Sequence, residues 1–302
     1  MPSMPRPASH PHEPAGSTRR AEPAAHAPLA TLAELEAAIV ACRACPRLVE
    51  WRERAAREKV ARFRDWTYWG RPVPGFGDPG ARLVVLGLAP AAHGGNRTGR
   101  VFTGDRSGDV LFAAMHRAGL SSQPTSIAAD DGLRLHGAWV AAAVRCAPPA
   151  NRPLPAERDR CLPFLVRELQ LLPDAHVLVA LGAFGWDAAL RALGALGHAT
   201  RPRPRFGHGA EARVGPWTVV GCYHPSQQNT FTGRLTPGML DDVLVRASEL
   251  AGLRVAAAVA AREAAERRVP GPAAGEEAER RAPCPAAGEA GERRAPGPAT
   301  GR

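Results

Sequence analysis

Short apolar runs alternate with amphipathic stretches through the middle of the chain. Four of these runs are typical of buried strands, at residues 83–88, 138–144, 176–181 and 217–223. Helical spacing of apolar residues lies between and after them, near 107–118, 157–171, 183–193 and 238–266. Strands that alternate with helices form sheets covered on both faces. The pattern therefore predicts an α/β fold of three α/β/α layers around a central, mainly parallel four-stranded sheet.

The two ends of the chain lack this patterning. Residues 1–28 are rich in Pro, Ala, His and Arg, and residues 267–302 repeat Arg-Arg pairs followed by prolines. Such sequences bury too little apolar surface to offset the entropy of ordering, so both ends are predicted to be disordered. One folded domain is expected over 29–266, and its first helix is predicted to begin at a capping box formed by Thr31 and Glu34.

Charge narrows the choice of partner. The net charge is +10 over 302 residues and is carried by arginine, because Lys59 is the only lysine. This excess of positive charge favours a polyanionic partner, although an arginine-rich composition can also be a bias of the whole proteome. The chain contains no apolar run of membrane-spanning length and no recognisable signal peptide, so we expect a soluble, cytoplasmic protein with no membrane partner.

Four of the six cysteines form two pairs. Cys42 and Cys45 are a Cys-x-x-Cys motif, and Cys146 and Cys161 flank a proline-rich loop. Four thiolates suit either a structural zinc ion or an iron–sulfur cluster, and spacing alone does not separate the two. The Cys-x-x-Cys motif is also compatible with a redox dithiol, and the pairs with simple buried thiols.

Three unusual loops follow the first, second and fourth predicted strands. They span 89–106, 145–153 and 224–238. Ligands of open α/β sheets bind beyond the carboxyl ends of the strands, so these loops are expected to form one site. The first loop is rich in glycine and alanine, which allows a ligand to approach the backbone closely. In that loop Arg97 and Arg100 suit phosphates, and Phe102 suits stacking on a planar base.

The third of these loops begins with His224, directly after a strand. A histidine there is able to donate a hydrogen bond to a developing oxyanion, although a strand-end histidine is as often a satisfied core residue. The polar segment behind it offers candidates for duplex contacts: Ser226, Gln227, Phe231, Arg234 and Leu235.

Together these motifs resemble one family. GLAPAAHGGNRTGRVFTGD at 87–105, RCAPPANRP at 145–153 and HPS at 224–226 are similar to the motifs of the iron–sulfur uracil-DNA glycosylases called family 5. The resemblance covers about residues 30 to 255. It implies the α/β/α glycosylase fold, a structural [4Fe–4S] cluster, and a monomer acting on double-stranded DNA that contains uracil or other deaminated bases. It also implies the ligands of the cluster: Cys42, Cys45, Cys146 and Cys161.

The resemblance implies a hydrolytic mechanism on a flipped-out base. His224 would stabilise negative charge on the base, and Asp105 would position the attacking water, with His93 as an alternative. Asp105 also suits the cap of the next helix. Phe102 would stack on the base and the Asn151 amide would pair with its edge.

Small side chains stand in the first loop where many glycosylases of this kind carry a carboxylate or amide. Ala89 and Ala91 lie at the start of that loop and would leave room for bases other than uracil. No lysine lies in the motifs, so the expected product is an intact abasic site. The missing carboxylate keeps a second hypothesis open, an iron–sulfur protein that binds nucleic acid with little or no glycosylase activity.

Overall fold

A computed structural model describes residues 29–253. The predicted disordered segments, 1–28 and 267–302, lie outside this range, as does the end of the last predicted helix. Six strands form one sheet in the order β1-β3-β2-β4-β6-β5. Their bounds are β1 Phe76–Gly77, β2 Leu83–Gly87, β3 Ala138–Ala142, β4 Val177–Leu181, β5 Glu211–Val214 and β6 Trp217–Cys222.

The four central strands of the sheet are parallel, as the sequence predicts. The two edge strands are antiparallel to their neighbours and were not predicted. Strand β1 has only two residues, and β5 alternates exposed and buried positions, so neither forms an apolar run. The prediction of a mainly parallel sheet is therefore confirmed, with six strands instead of four.

Helices cover both faces of the sheet. They are α1 Leu32–Ala41, α2 Pro46–Glu58, α3 Gly95–Thr98, α4 Arg106–Arg117, α5 Pro155–Gln170, α6 Gly182–Ala195, α7 Gln227–Phe231 and α8 Pro237–Leu250. The predicted capping box at Thr31 is confirmed, because its hydroxyl accepts from the N–H of Glu34 and the Glu34 carboxylate accepts from the backbone of Thr31. Helix α2 and the short α7 were missed because neither has a full apolar stripe of its own.

Side chains of β2 show why two layers of helices are needed. All five residues of the strand are buried. Leu83 and Val85 pack with α4 and α8 on one face, whereas Val84 and Leu86 pack with α5 and α6 on the other. Alternate residues of a strand point to opposite faces, so a strand that is apolar throughout must be covered twice. This packing fixes the carboxyl ends of the four parallel strands along one edge.

Among the described residues, no helix is both long and apolar enough to cross a membrane.

Candidate active site and cysteine cluster

A cleft of about 590 Å³ opens at the carboxyl ends of the parallel strands. The loops after β2, β3 and β6 and the start of α6, directly after β4, all contribute to its walls. The residues that line it are Leu88, Ala89, Ala91, Phe102, Asp105, Arg106, Ser107, Ala150, Asn151, Arg152, Leu181, Gly182, Ala183, Phe184, His224, Ser226, Gln227 and Gln228. The cleft thus brings together most of the site residues predicted from the sequence.

His224 follows β6 and lies in the wall of the cleft. Its backbone carbonyl accepts from the side-chain amide of Asn229 at 2.8 Å and from the N–H of Ser226 at 2.8 Å, which fixes the turn. No described residue hydrogen-bonds its imidazole ring. Desolvation in the cleft wall lowers the pKa of His224 to about 4, so the ring is neutral near pH 7. A neutral imidazole with a free N–H is able to donate to a ligand.

Phe102 lies beside His224, with ring centroids 5.8 Å apart and planes inclined by 35°. The side chain is buried, and the backbone has φ of 52°, a conformation that costs a non-glycine residue free energy. Gly87 permits this placement, because a Cβ there would lie 2.6 Å from the Phe102 ring. Phe102 thus belongs to the apolar core and also lines the cleft, and its stacking on a base stays a prediction.

Asp105 caps α4 and also lines the cleft. One carboxylate oxygen accepts from the N–H of Gly108 at 3.0 Å. The other lies against Gly94, where an added Cβ would come within 2.0 Å of it. Burial raises the pKa of Asp105, and the Gly108 hydrogen bond opposes that rise. Asp105 therefore caps the helix, and its carboxylate, whose pKa is raised, also lines the cleft.

Asn151 stands at the mouth of the cleft with an exposed side chain. It and Ala150 have φ of 53° and 52°, two consecutive left-handed residues in the loop after β3. Arg47 on α2 supports this loop by donating to the carbonyl of Arg152 at 3.2 Å. A strained turn held from outside is typical of functional loops.

The predicted phosphate contacts of the first loop's two arginines are corrected by the burial of both side chains. The guanidinium of Arg97 lies 3.9 Å from the Phe63 ring centroid and 4.1 Å from that of Trp66, and it donates to the carbonyls of His93 and Gly104. The side chain is only 3% exposed. Arg97 thus holds the loop together from inside and does not reach a phosphate in this conformation.

Arg100 is also buried, and its Nη2 donates to both carboxylate oxygens of Asp131, at 2.7 and 2.8 Å. The same Nη2 also contacts the hydroxyl of Ser126, whereas Nε donates to Thr103 and Nη1 to the carbonyl of Ala129. The sequence suggested a phosphate contact because two arginines in a glycine-rich loop look exposed. Their partners, Trp66 and Asp131, lie far away in the sequence and could not be identified from it.

Segment 226–235 forms α7 and the turn after it. Ser226 caps the helix, and Gln227 and Arg234 are exposed as expected for a contact surface. Phe231 is 67% exposed, whereas Leu235 is only 2% exposed and belongs to the core. Leu235 is therefore not available to a duplex, in contrast to the prediction.

The start of α6, directly after β4, lines the cleft although no site residue was predicted there. Gly182 and Phe184 lie in the first turn of this helix. The rule that ligands bind at the carboxyl ends of parallel strands should have pointed to it, since 176–181 was predicted as a strand. His93, by contrast, is not a cleft residue; its Nδ1 lies 3.1 Å from the hydroxyl of Tyr68.

A second hollow of about 560 Å³ lies at the opposite edge of the sheet, where the strands begin. Arg82, His176 and Trp217 line it. It is shallower and contains none of the predicted site residues. Because ligands of this fold class bind at the carboxyl ends, the cleft beside His224 is the better candidate for chemistry.

The four paired cysteines gather beneath the cleft. Cys45, Cys146 and Cys161 are buried in one small cluster, and Cys42, half-buried, lies close enough to interact electrostatically with all three. Ala89 and Phe184, which line the cleft, pack against this cluster. Burial raises the pKa of Cys146 to about 12 and that of Cys161 to about 11. Ligation by metal deprotonates such thiols.

The residues around the thiols fit a negatively charged group. Arg52 is 2% exposed and donates to Cys146 Sγ at 2.9 Å, which places a buried positive charge beside the sulfur atoms. Within residues 29–253, no three His, Cys, Asp or Glu side chains converge on a point suited to a single metal ion. A four-iron cluster binds each thiolate at a different iron, so its ligands need not converge on one point.

Comparisons with known proteins agree with this geometry. The sequence model described as "Uracil DNA glycosylase superfamily" matches residues 74–246. The chain is 58% identical over 225 residues to a type-5 uracil-DNA glycosylase of Mycobacterium bovis, covering 74% of this chain and 83% of the relative. It is 52% identical over 216 residues to the type-5 enzyme of Thermus thermophilus, covering 71% and 96%. A type-4 uracil-DNA glycosylase of Archaeoglobus fulgidus is 33% identical over 113 residues, covering 37% and 49%.

Proposed function

The chain belongs to the uracil DNA glycosylase superfamily and to its type-5 group, and we propose that it excises uracil from DNA by hydrolysing the N-glycosidic bond. The observation that carries the proposal is the cleft in which His224, Asp105 and Phe102 meet. It acts as a monomer in DNA repair, on double-stranded DNA that contains uracil or another deaminated base. Its product is an intact abasic site.

The base must leave the duplex before the bond can be reached, at a cost of roughly a few kcal/mol that is smallest at a mismatch. In the cleft it stacks on Phe102 and presents its edge to the Asn151 amide, which has both a donor and acceptors. Ala89 and Ala91 leave space beside it. This space favours acceptance of deaminated bases other than uracil.

His224 assists bond cleavage. As the glycosidic bond breaks, the sugar becomes cationic and the base becomes anionic, with the charge on its carbonyl oxygens. The neutral His224 ring donates a hydrogen bond to such an oxygen. Removing one donor of this kind typically lowers a catalytic rate by about 10²–10³-fold.

Asp105 receives the proton of the attacking water. Its raised pKa brings its proton affinity closer to the working pH than that of an exposed carboxylate. Because no carboxylate is present among residues 87–104, Asp105 is the first acidic group of the loop. Asp105 thus takes the role of the carboxylate or amide that the loop lacks at Ala89–Ala92.

Helix α7 provides the contact with the duplex. Phe231 projects into solvent, and the guanidinium of Arg106 lies 5.2 Å from its ring centroid. An exposed aromatic side chain at the mouth of the cleft is suited to fill the gap left by the flipped base. Ser226, Gln227 and Arg234 bind the flanking backbone.

The cofactor of this enzyme is a [4Fe–4S] cluster held by Cys42, Cys45, Cys146 and Cys161. The buried Arg52 beside Cys146 supports an anionic group at this place. The cluster supplies structural cross-linking between α1, the loop after β3 and α5, and takes no part in the hydrolysis.

A base-release assay tests the proposal. Anaerobically purified protein is incubated with an end-labelled duplex that contains one U·G pair, and a C·G duplex serves as the control. The proposal predicts strand cleavage of the U·G duplex only after alkali treatment. Tight binding without cleavage, on duplexes with uracil, hypoxanthine or xanthine, would instead favour a binding protein without glycosylase activity.

A further inference from the structure

One buried side chain joins the two cysteine pairs. Arg52, on α2, donates to Cys146 Sγ at 2.9 Å through Nη1. Both of its terminal nitrogens lie 3.4 Å from the carbonyl oxygen of Cys42. The two cysteines are far apart in sequence, so Arg52 contacts each half of the ligand set and defines the space between them.

The positive charge of Arg52 has little compensation from carboxylates. Its side chain is 2% exposed, and its Nε is buried without a hydrogen-bond partner among the described residues. The one described carboxylate in ion-pair range is Glu53, at 4.0 Å, and the same oxygen of Glu53 lies 2.5 Å from Arg43. A buried cation needs a nearby anion. Thiolates bound to a metal cluster would supply it.

A second arginine gives a natural comparison. Arg160, on α5, donates to the carbonyl of Ala44 at 3.5 Å and lies close enough to Cys45 to lower the pKa of its thiol, but Arg160 is itself exposed. Water screens an exposed charge and solvates it when its partner changes. Arginines thus lie near two of the cysteines, Arg52 buried beside Cys146 and Arg160 exposed to water near Cys45.

We propose that Arg52 is the fixed counter-charge of the cluster, holding its sulfur ligands together and setting its affinity for electrons. The inference rests on the [4Fe–4S] centre proposed above. The guanidinium offsets the negative charge of the cluster and its thiolates, and its hydrogen bond to Cys146 fixes the orientation of that ligand. Hydrogen bonds to ligand sulfur and nearby charge are established determinants of cluster potential.

The proposal gives the sign of two effects. An added electron makes the cluster more negative, so a buried cation beside it favours the reduced form. Removing that cation should therefore lower the midpoint potential. It should also weaken retention of iron, because the sulfur ligands then repel one another without a counter-charge.

Substitution at Arg52 leaves the neighbouring loop attached. Asn96, fully buried in α3, donates its side-chain amide to the backbone carbonyl of Arg52 at 3.1 Å. This bond belongs to the main chain and survives a change of side chain. The connection between α2 and the first cleft loop is thus retained in the variants, which makes the test specific to the guanidinium.

The test compares Arg52→Gln and Arg52→Lys with two control variants. Arg160→Gln removes the exposed arginine at Cys45, and Arg54→Gln removes an arginine of the same helix that pairs with Glu50 at 3.9 Å. Each protein is purified anaerobically. Iron and sulfide content, the rate of iron release to a ferrous chelator and the midpoint potential are measured.

We expect Arg52→Gln to release iron roughly 10- to 100-fold faster than the wild type, in the range typical of residues that support metal ligands. Its midpoint potential should be lower. Arg52→Lys keeps a charge but loses the planar fork of donors, so it should fall between the two. Arg160→Gln should change both quantities less than Arg52→Gln, and Arg54→Gln should match the wild type.

Three results would overturn the inference. One is an Arg52→Gln protein with the wild-type rate of iron release and potential. Another is an Arg52→Gln protein that loses thermal stability but keeps the wild-type potential, which would mean that Arg52 has a packing role only. If Arg52→Gln does not fold, the potential and iron release of Arg52→Lys decide between the two roles. The third is wild-type protein without iron, which removes the cluster proposal as well. Uracil release by that protein would show that the glycosylase proposal stands apart from it.

Discussion

Burial in the same cleft shifts the pKa values of His224 and Asp105 in opposite directions. Desolvation disfavours the charged form of each group, so it lowers the pKa of the imidazole to about 4 and raises the pKa of the carboxyl. The first change keeps His224 neutral near pH 7, where the ring still has one N–H that can donate to an anion. The second increases the basicity of Asp105. The same environment therefore prepares a donor and a base.

The pKa of His224 predicts a dependence of stability on pH. An unfolded histidine has a pKa near 6.5 and the folded one about 4, so the unfolded chain binds a proton that the native protein excludes. The contribution of this residue to the free energy of unfolding is complete above pH ~6.5 and is lost as pH falls toward ~4. Urea unfolding at several pH values should show a smaller loss for His224→Gln than for the wild type. An equal loss would contradict the assigned pKa.

Asp105 combines two roles that substitution can separate. Asparagine is as good a helix cap as aspartate, so Asp105→Asn should retain the bond from the Gly108 N–H and change stability little. It removes the base, and base excision should fall by about 10²–10⁴-fold. Asp105→Ala should lose activity and also about 0.5–2 kcal/mol of stability. Thermal melts and single-turnover rates check both. An active Asp105→Asn protein would leave the residue as a cap only.

At the level of elements, glycines let the loop after β2 fold against the start of α4. Gly87 makes room for the Phe102 ring and Gly94 for the Asp105 carboxylate. Both are buried, and in each case the space of a missing Cβ is occupied by a side chain that lines the cleft. The loop thus positions the stacking surface and the base through close backbone contacts.

This packing predicts the effect of Gly94→Ala. The new methyl group would lie 2.0 Å from Asp105 Oδ2 and must displace the carboxylate. We expect base excision to fall by at least about tenfold, since misplacement by 1 Å can cost about 10²-fold. Gly194→Ala, in the open face of α6, is the matched control and should be neutral or slightly stabilising. Equal rates for the two variants would refute the positioning role of Gly94.

The sequence predicts elements better than contacts. Apolar periodicity correctly places the four central strands and helices α4, α5 and α6. Each central strand is buried on both faces, so it forms a continuous apolar run in the sequence. Edge strand β1 and helix α7 are too short for such a signal. The aromatic rings that cover Arg97 and the carboxylate of Asp131 that pairs with Arg100 come from distant segments. The burial of the two arginines was therefore not predictable although the loop itself was recognised.

At the level of the whole molecule, the cysteine cluster lies directly behind the cleft. Ala89 and Phe184 line the cleft and also pack against the cysteines. A disturbance of the thiols therefore reaches the base-binding walls of the cleft through these two side chains. Between them the cysteines connect the end of α1, the start of α2, the loop after β3 and α5. A metal centre there would close a loop of about a hundred residues and stabilise the fold by constraining the unfolded chain.

Cys161→Ala tests this connection. Removing one buried ligand should lower iron content sharply, reduce the melting temperature and slow base excision through the disturbed Phe184. Cys222→Ala is the control, because Cys222 is buried in β6 among apolar residues and belongs to neither pair. It should keep its iron and its activity. A Cys161→Ala protein with full iron content would exclude Cys161 as a ligand.

The central claim is that the cleft beside His224 performs base excision. The most direct test is the single-turnover rate of His224→Ala on a U·G duplex, with affinity for the same duplex measured in parallel. We expect a rate about 10²–10³-fold below the wild type, with duplex affinity and melting temperature nearly unchanged. A wild-type rate in the variant would contradict it, and the chemistry would then have to be sought elsewhere in the cleft.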